Sequence, residues 1–250
     1  MRSRALLVLL LLPFACASPA SAEDLVSGLS QDSIEITSNY SGSTIVVFGA
    51  IERPTGQGRR DVVVVVRGPP APMTVRKKDR VAGLWINNER AIFYGMPSYY
   101  FVASSRPIGQ IAARDLLNRY ALGLDLLEPK AVRAEGPTDA FRHAIIRRMQ
   151  VRGLYAEVPT GVEFLSETLF RVRVPVPASV ATGEYTAEVY LFQDNTMVSA
   201  QVTPFFIDQT GLERQLFNFS HKWPFTYGAS AVVVALFLGW LSSLFFRQSL

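Results

Sequence analysis

Residues 183–207, GEYTAEVYLFQDNTMVSAQVTPFFI, contain two apolar stretches that are separated by a polar break at 193–195. In the first stretch Val189 and Leu191 stand at alternate positions, as buried residues do on one face of a β-strand. Asp and Asn between two such stretches indicate a turn. We therefore predict two consecutive strands joined by a turn, with the last strand at residues 198–207.

The start of the first strand contains a Gly-x-Tyr pattern formed by Gly183 and Tyr185. This pattern resembles the tyrosine corner of immunoglobulin-like sandwiches, in which the tyrosine hydroxyl packs a turn. In those sandwiches the tyrosine precedes a strand cysteine by two residues, and Ala187 takes that position here. The pattern concerns the fold and not the chemistry, and it predicts a mainly β, immunoglobulin-like β-sandwich.

A second β-rich block lies earlier in the chain. Alternation in residues 34–36 and again in 45–47 predicts a hairpin. Residues 62–66 are five consecutive valines, which are typical of a strand buried on both faces. The other strands expected in this block are a basic strand at 74–80, two strands at 84–86 and 91–94 around a turn at 87–89, and a strand at 99–103.

Between the two blocks, residues 107–153 change to helical spacing, which predicts two amphipathic helices. The first ends before Pro129, and its apolar positions are Ile111, Leu116, Tyr120 and Leu124. The second is capped by Thr138 or Asp139, and its apolar face consists of Phe141, Ala144, Ile145 and Met149.

Much of the remaining surface of the second helix is arginine, at Arg142, Arg147, Arg148 and Arg152. A solvated helical face packed beside the sheet explains these residues. The alternative is a docking face for anionic lipid headgroups or for an acidic partner.

The N-terminus has the three parts of a secretory signal peptide at residues 1–22. Arg2 and Arg4 precede a short apolar run at 5–12, and an A-x-A cleavage site ends at Ala22. The run is too short to cross a bilayer, which needs about 20 residues. We therefore predict cleavage after Ala22 rather than an uncleaved anchor.

Cys16 is the only cysteine. Pro13 and Phe14 stand where a lipoprotein signal needs an aliphatic and a small residue, so we favour loss of Cys16 with the signal peptide over its lipidation. The mature chain, starting at Glu23, would then have no disulfide, no cysteine metal site and no cysteine nucleophile.

Residues 225–246, near the C-terminus, contain no charged residue. At 1.5 Å per residue they form about 33 Å of helix, enough to cross a bilayer. We predict a transmembrane helix at 224–246 rather than the buried helix of a soluble protein, with a cytoplasmic tail at 247–250. The expected interfacial residues are Trp223, Tyr227, Trp240 and Arg247.

Small residues recur at every fourth position of this helix, at Ala231, Ala235, Gly239 and Ser243. Ridges of this kind let helices approach closely in lipid, so the ridge is a possible packing face for another membrane helix. The alternative is that Ala and Gly are common in any spanning helix.

The stretch at 211–223, just before the membrane helix, is amphipathic, with Leu212, Leu216 and Phe219 on one helical face. We expect it to lie in the membrane interface and to set the distance between the ectodomain and the bilayer.

The mature chain, of which the ectodomain at residues 23–210 is the largest part, is nearly balanced in charge. Without the two arginines of the signal peptide, it has 23 basic and 21 acidic residues, which predicts no nucleic-acid partner. We expect one domain with a helical insertion, because roughly 80 and 50 residues are small for two separate cores without disulfides.

Candidate catalytic and metal-binding groups are few. His143 and His221 have no second histidine or cysteine nearby. Residues 56–60, with two glycines and two arginines, are more typical of a hairpin turn than of an anion-binding loop. Glu163 and Glu167 have the spacing of a helical carboxylate pair, although a solvated turn explains them as well. No nucleotide-binding or hydrolase motif occurs, so we expect no cofactor and no metal.

Several stretches resemble an uncharacterised family of alphaproteobacterial transmembrane proteins, namely 25–30, 45–49, 64–70, 167–173, 183–185 and 211–214. The resemblance extends over essentially the whole mature chain. It implies a Gram-negative inner membrane with the ectodomain in the periplasm. Members of the family are encoded near sulfite-exporter-like permeases. The resemblance therefore implies such a permease as a partner. The family brings no known catalytic residues.

These observations favour a non-enzymatic accessory protein whose anchor presents a sandwich to a membrane partner, either a permease or a second copy. The same sequence features fit a purely structural role in the envelope equally well. The alternative is a periplasmic enzyme or small-ligand-binding protein with a cleft between sheet and helices. A deep pocket with converging acids would favour that alternative.

Overall fold

A computed structural model describes residues 24–37, 40–52, 58–81, 84–134, 138–209 and 219–246. The predicted signal peptide, the tail with Arg247, and residues 211–218 of the predicted juxtamembrane stretch lie outside these ranges.

The described residues form thirteen strands and three α-helices. The strands are β1 Asp24–Leu29, β2 Ser33–Ile36, β3 Ser43–Glu52, β4 Arg60–Arg67, β5 Pro70–Val81, β6 Leu84–Pro97, β7 Tyr100–Ser104, β8 Ala131–Ala134, β9 Tyr155–Pro159, β10 Glu163–Phe164, β11 Leu169–Val176, β12 Gly183–Gln193 and β13 Thr196–Gln209. The helices are α1 Arg114–Tyr120, α2 Thr138–Val151 and α3 Pro224–Phe246, and two 3-10 turns lie at Ile108–Gln110 and Leu124–Leu126. The prediction of a mainly β chain is confirmed.

These strands form three sheets. An antiparallel four-stranded sheet has the order β1-β3-β11-β10. A six-stranded sheet has the order β2-β13-β12-β4-β7-β9, and its two outer pairs, β2 with β13 and β7 with β9, are parallel. The third sheet has the order β5-β6-β8.

The four-stranded and six-stranded sheets contribute to one hydrophobic cluster. In β3 and β11 every second residue is buried, so each strand turns one face to the core and the other to solvent. In β4, by contrast, all residues from Asp61 to Val66 are buried, which confirms the prediction from the valine run. The immunoglobulin-like assignment within this β architecture stays a prediction.

Tyr185 makes the hydrogen bond of a tyrosine corner. Its hydroxyl donates to the carbonyl oxygen of Ala181, four residues upstream, over 2.6 Å. Its ring packs against Tyr99 and Phe205, with centroid distances of 6.1 and 5.3 Å. Gly183 precedes it with φ at 140°, a conformation that side chains disfavour.

The helical segment lies beside the six-stranded sheet. The ring of Tyr120 in α1 packs on Tyr190 of β12, with 5.6 Å between centroids. The helix α2 contacts β5 and β9 and buries four side chains, Phe141, Ile145, Ile146 and Met149. The helical pattern had predicted Ala144, and not Ile146, on the buried face. In the structure Ile146 is buried and Ala144 is only half-buried.

The first predicted helix is shorter than expected. It ends at Tyr120, because Ala121 adopts a left-handed conformation with φ at 47°. The amide of Leu122 then bonds back to the carbonyl oxygen of Leu117 over 2.9 Å, as in a Schellman motif. The rest of the predicted helix is a 3-10 turn at Leu124–Leu126.

One predicted hairpin and one predicted turn are wrong. The strands β2 and β3 do not pair as a hairpin, since β2 pairs in parallel with β13 while β3 pairs with β1 and β11. Alternation reports which face of a strand is buried but not which strand lies beside it. Residues 87–89 are a bulge within the continuous strand β6, where the register shifts between Lys77 and Lys78 of β5.

The C-terminal helix α3 has the length and composition of a membrane span. Its segment Pro224–Ser242 has a mean hydropathy of 1.6, and none of it is buried against the rest of the described chain. An exposed helix that is apolar on all sides is stable in a bilayer and not in water.

Candidate functional site

An apolar row crosses the solvent-facing side of the four-stranded sheet. The register places Val26, Ala50 and Leu169 next to one another on β1, β3 and β11. Val26 is 48% exposed, Leu169 is 39% exposed, and Phe48, two residues along β3 from Ala50, is 45% exposed. The ring of Phe48 covers Gly28, where an added Cβ would lie 3.0 Å from the ring. We call Val26, Phe48, Ala50 and Leu169 the apolar row.

Charged residues border the apolar row on β10 and β11. Arg171, which is paired with Phe48 in the register, donates hydrogen bonds of 2.8 and 3.1 Å to the carboxylate of Glu163. Arg173 approaches the same carboxylate at 3.5 Å. The hydrogen bonds from Arg171 lower the pKa of Glu163. An apolar centre with a charged rim is typical of a protein contact surface.

The sequence had suggested Glu163 as part of a carboxylate pair with Glu167, and this pair does not form. Glu163 lies in β10 and is held by arginines, while Glu167 lies in the connection to β11. The apolar row itself was not predicted, because period-two reasoning concentrates on buried positions. The sequence signal that could have revealed the apolar row is the stretch at 45–51, IVVFGAI, which is apolar on both faces of the strand.

The small-residue ridge lies on one face of α3, because residues four apart are neighbours along one side of a helix. Space around Gly239 is open, and a Cβ added there meets no described atom within 4 Å. Ala231 and Ala235 lie on the same face. The backbone of Ser243 continues this side of the helix, and its side chain lies outside the described part of the chain.

Aromatic residues mark the start of α3 and a position near its other end. A helical turn at 219–222 leads into α3, and its Phe219 packs edge-on against Tyr227 with centroids 5.9 Å apart. Trp223, between them, is 58% exposed. Trp240 is 60% exposed. These positions suit the interfacial role predicted for aromatic residues.

The structure brings together only two of the four arginines predicted as a docking face on α2. Arg142 donates a hydrogen bond of 2.8 Å to the carbonyl oxygen of Asp125, which ties α2 to the neighbouring 3-10 turn. Arg147 is exposed. Arg148 and Arg152 line one cavity.

This cavity, of about 400 Å³, lies between α2, β5 and the segment that precedes β12. Its apolar lining includes Met73, Val75, Ile145, Met149 and Leu154. Among the described residues, neither Arg148 nor Arg152 is paired with a carboxylate. Like charges four residues apart on a helix repel each other, so an anion at this position would be favourable.

A buried polar network fills the space between the six-stranded sheet and α1. The guanidinium of Arg67 donates to Glu188 over 3.1 Å and to the carbonyl oxygen of Tyr120 over 2.7 Å. The hydroxyl of Tyr190 donates to Glu188 over 2.8 Å. The same guanidinium lies 5.3 Å from the centroid of the Tyr100 ring. These groups satisfy one another, and the sequence had no local signal for them because they come from distant strands.

A second cavity, of about 330 Å³, includes Asp125 and Glu157 in its lining. The carboxylate of Glu157 accepts a hydrogen bond of 3.0 Å from the amide of Leu124. His143 is exposed on α2, and His221 lies 3.2 Å from the hydroxyl of Ser220. Within the described ranges, no three His, Cys, Asp or Glu residues are grouped as metal ligands.

A comparison with protein families matches residues 24–248 to the family described as "Putative transmembrane protein (Alph_Pro_TM)". A comparison with curated proteins gives no match. The matched range begins at the first residue of β1 and extends past α3, so it includes the β-rich part together with the membrane helix. The chain therefore belongs to this family of alphaproteobacterial transmembrane proteins.

Proposed function

We propose that this chain is a single-pass inner-membrane protein whose β-rich domain faces the periplasm and acts, without catalysis, as an accessory to another integral membrane protein. The observation that carries the proposal is the apolar row with its charged rim, on a domain that shares a chain with one apolar helix. The partner is a multi-span protein such as a permease.

The tether favours a partner in the same membrane. Residues 210–218 separate β13 from the helical turn before α3, and nine residues span at most about 30 Å when extended. The end of β13 therefore stays within about 30 Å of the helical turn before α3. A tether of this length raises the effective concentration of a membrane-embedded partner, so that a modest surface suffices for binding.

The helix α3 offers a second contact within the lipid. Its face of Ala231, Ala235 and Gly239 is uncovered, and small side chains let another helix pack at close range. Contacts outside and inside the bilayer on the same partner would reinforce each other.

Affinity purification of the full chain from detergent-solubilised membranes tests the proposal. We expect to recover a multi-span membrane protein in a stoichiometric amount. Recovery of the chain alone, after crosslinking before solubilisation as well as without it, would contradict an accessory role.

Variants of the apolar row identify the surface. Phe48→Ser with Leu169→Ser should lower recovery of the partner by about tenfold or more, because aromatic anchors typically contribute at least ~2 kcal/mol to binding. The matched control is Tyr94→Ser, since Tyr94 is 43% exposed on β6, outside this sheet. Equal losses in both variants would indicate general destabilisation instead of a contact.

Variants of α3 test the contact in the membrane. Ala235→Leu with Gly239→Leu should reduce crosslinking to the partner, because two large side chains keep the helices apart. Val233→Leu with Phe237→Leu changes the opposite face of the same helix and should leave crosslinking unchanged. Unchanged crosslinking in both pairs would remove the ridge from the interface.

A second candidate function is binding of an anionic amphiphile in the cavity beside α2. The apolar lining suits an acyl chain, and Arg148 and Arg152 suit its carboxylate or phosphate group. Titration of the full chain in detergent with a fluorescent fatty acid tests this function. Arg148→Gln with Arg152→Gln should weaken binding, whereas the control Arg147→Gln should not.

A further inference from the structure

The hairpin of β5 and β6 continues beyond the part that pairs with β8. The strand β8 pairs only with Ala91–Tyr94 in the register, and among the β6 side chains that the structure describes, at 89–97, the buried ones are Ala91, Phe93 and Met96. Residues 76–81 of β5 pair with residues 84–90 of β6 and, among the described strands, with nothing else. We call residues 76–81 and 84–90 the hairpin arm. Six residues of strand reach about 20 Å.

One face of the arm is cationic. Arg76, Lys78 and Arg80 alternate along β5 and are all exposed. Arg90 of β6 stands directly opposite Arg76, and Arg133 of β8 extends the same face beside Ile92. Among the described residues, none of these five cations is paired with a carboxylate.

Glu89, an acidic residue of the arm, lies on the other side of the hairpin. Glu89 is paired with Lys77 in the register, and their side chains form an ion pair of 3.6 Å. Because alternate residues face opposite sides of a strand, this pair lies away from Arg76 and Arg90 and does not neutralise them.

This arrangement works against the stability of the arm. A two-stranded hairpin is marginally stable in water, and like charges directly opposite each other lower its stability further. The placement of Arg76 against Arg90 is therefore not explained by folding, and it is the arrangement expected of a surface that meets negative charge.

In the sequence, the far end of the arm is apolar and aromatic. The last pairs of the ladder are Arg80 with Trp85 and Val81 with Leu84, and Ile86 follows. Trp together with aliphatic residues is the composition found where proteins enter the membrane interface. Arg67, three residues before β5, pairs with Thr186, while Gly183 pairs with Ile207 near the end of β13. The strand β5 therefore begins at the same end of the sheet as the tether to α3.

We propose that the hairpin arm docks on anionic phospholipid headgroups of the bilayer that α3 spans, through Arg76, Lys78, Arg80, Arg90 and Arg133. The end of the arm, where Val81 pairs with Leu84, enters the interface between headgroups and acyl chains. The domain is then held to the membrane at two points and has a defined orientation, which a single tether does not provide. This inference depends on α3 as a membrane helix and not on the partner proposed above.

The test uses the full chain in lipid nanodiscs, with an environment-sensitive dye on Leu84→Cys in a Cys16→Ser background. We expect stronger and blue-shifted emission in discs that contain phosphatidylglycerol than in discs of phosphatidylcholine alone. Salt at ~1 M should abolish the difference, because it shortens the screening length to about 3 Å.

Charge variants assign the effect to the arm. Arg76→Gln, Lys78→Gln and Arg90→Gln together should lower the ratio of docked to undocked arm by about 100-fold, at about fivefold for each cation near an anionic surface. Arg76→Lys with Arg90→Lys keeps the charge and should keep the signal. Arg59→Gln, Arg119→Gln and Arg147→Gln together remove equal charge from exposed positions outside the arm and should leave the signal unchanged. Circular dichroism checks that each variant is folded.

Three outcomes would overturn the proposal. The first is equal emission in neutral and anionic discs, and the second is an equal loss of signal in the arm variant and in the control variant at Arg59, Arg119 and Arg147. The third is protection of the cysteine from an impermeant maleimide in native membranes but not in anionic discs, which would assign the arm to a protein partner.

Discussion

The hydroxyl of Tyr100 donates a hydrogen bond of 2.8 Å to the carbonyl oxygen of Ala121, the residue that follows α1. The same hydroxyl accepts a hydrogen bond of 2.9 Å from the amide of Gly123. The guanidinium of Arg67 reaches the carbonyl oxygens of Tyr120 and Ala121 from the neighbouring strand. The sheet thus caps the C-terminal carbonyls of α1 with a phenol and a cation, both of which suit the negative end of a helix.

Replacing Tyr100 by Phe should lower the free energy of unfolding by about 1–2 kcal/mol, because the buried amide of Gly123 loses its acceptor. Chemical denaturation of the full chain in detergent, followed by circular dichroism, measures the change. Tyr94→Phe is the control, since Tyr94 is exposed, and it should have little effect. Equal stability of the two variants would show that the capping bond contributes nothing.

Asp61, which is buried, forms an ion pair with the half-buried Arg106, and its loss should be costly. Asp61 is 3% exposed and accepts hydrogen bonds of 2.7 to 2.9 Å from Arg106, together with one of 2.8 Å from Ser105. Asp61→Ala should cost about 1–3 kcal/mol, because Arg106 and Ser105 lose the acceptor that they share. Asp61→Ala with Arg106→Ala should cost less than the two single changes combined. A strictly additive double variant would mean that the two side chains are not coupled.

Gly49 lies on β3 where no side chain fits. An added Cβ would lie 2.5 Å from the ring of Phe170 and 3.0 Å from the carbonyl oxygen of Val26. Gly49→Ala should therefore destabilise the domain by about 1–3 kcal/mol through overpacking. Gly109→Ala is the control, because a Cβ there meets no described atom within 4 Å. Thermal unfolding that is unchanged in Gly49→Ala would show that Phe170 moves aside freely.

Buried tyrosines should make the fold sensitive to alkali. Burial raises the pKa of Tyr100 and Tyr185 from 10.0 to about 12, and it also raises the pKa of Tyr99, Tyr155 and Tyr190. Because the folded pKa is raised, this stabilisation is complete below pH 10.0 and is lost as the pH rises towards about 12.

Phenolate absorbance in the near ultraviolet measures this titration. The folded chain should show five of its nine tyrosines still protonated at a pH where they ionise in denaturant. Tyr100→Phe should remove one group from the delayed fraction. Full ionisation of all tyrosines in the folded chain near pH 10.0 would contradict their burial.

Features that depend on residues close to one another in the sequence were predicted well. The five valines of β4, the corner at Tyr185, the start of α2 at Thr138 and the membrane helix follow from local periodicity and composition. Pairing was not predictable in this way. Val47 of β3 lies beside Val172 of β11, and nothing local to either residue selects that partner over another strand with the same alternation.

By itself, the sequence determined that the chain is mainly β and that it carries one helix able to cross a membrane, because both properties follow from the spacing of apolar residues along a short segment. Only the tertiary structure decided which charges are internal and which are available. It pairs the half-buried Arg67 and Arg106 with carboxylates, it ties Arg142 to a carbonyl oxygen, and it leaves Arg76 facing Arg90. The reason is that an arginine carries the same charge in any sequence, whereas the groups that meet it are brought there by strands and turns far away in the chain.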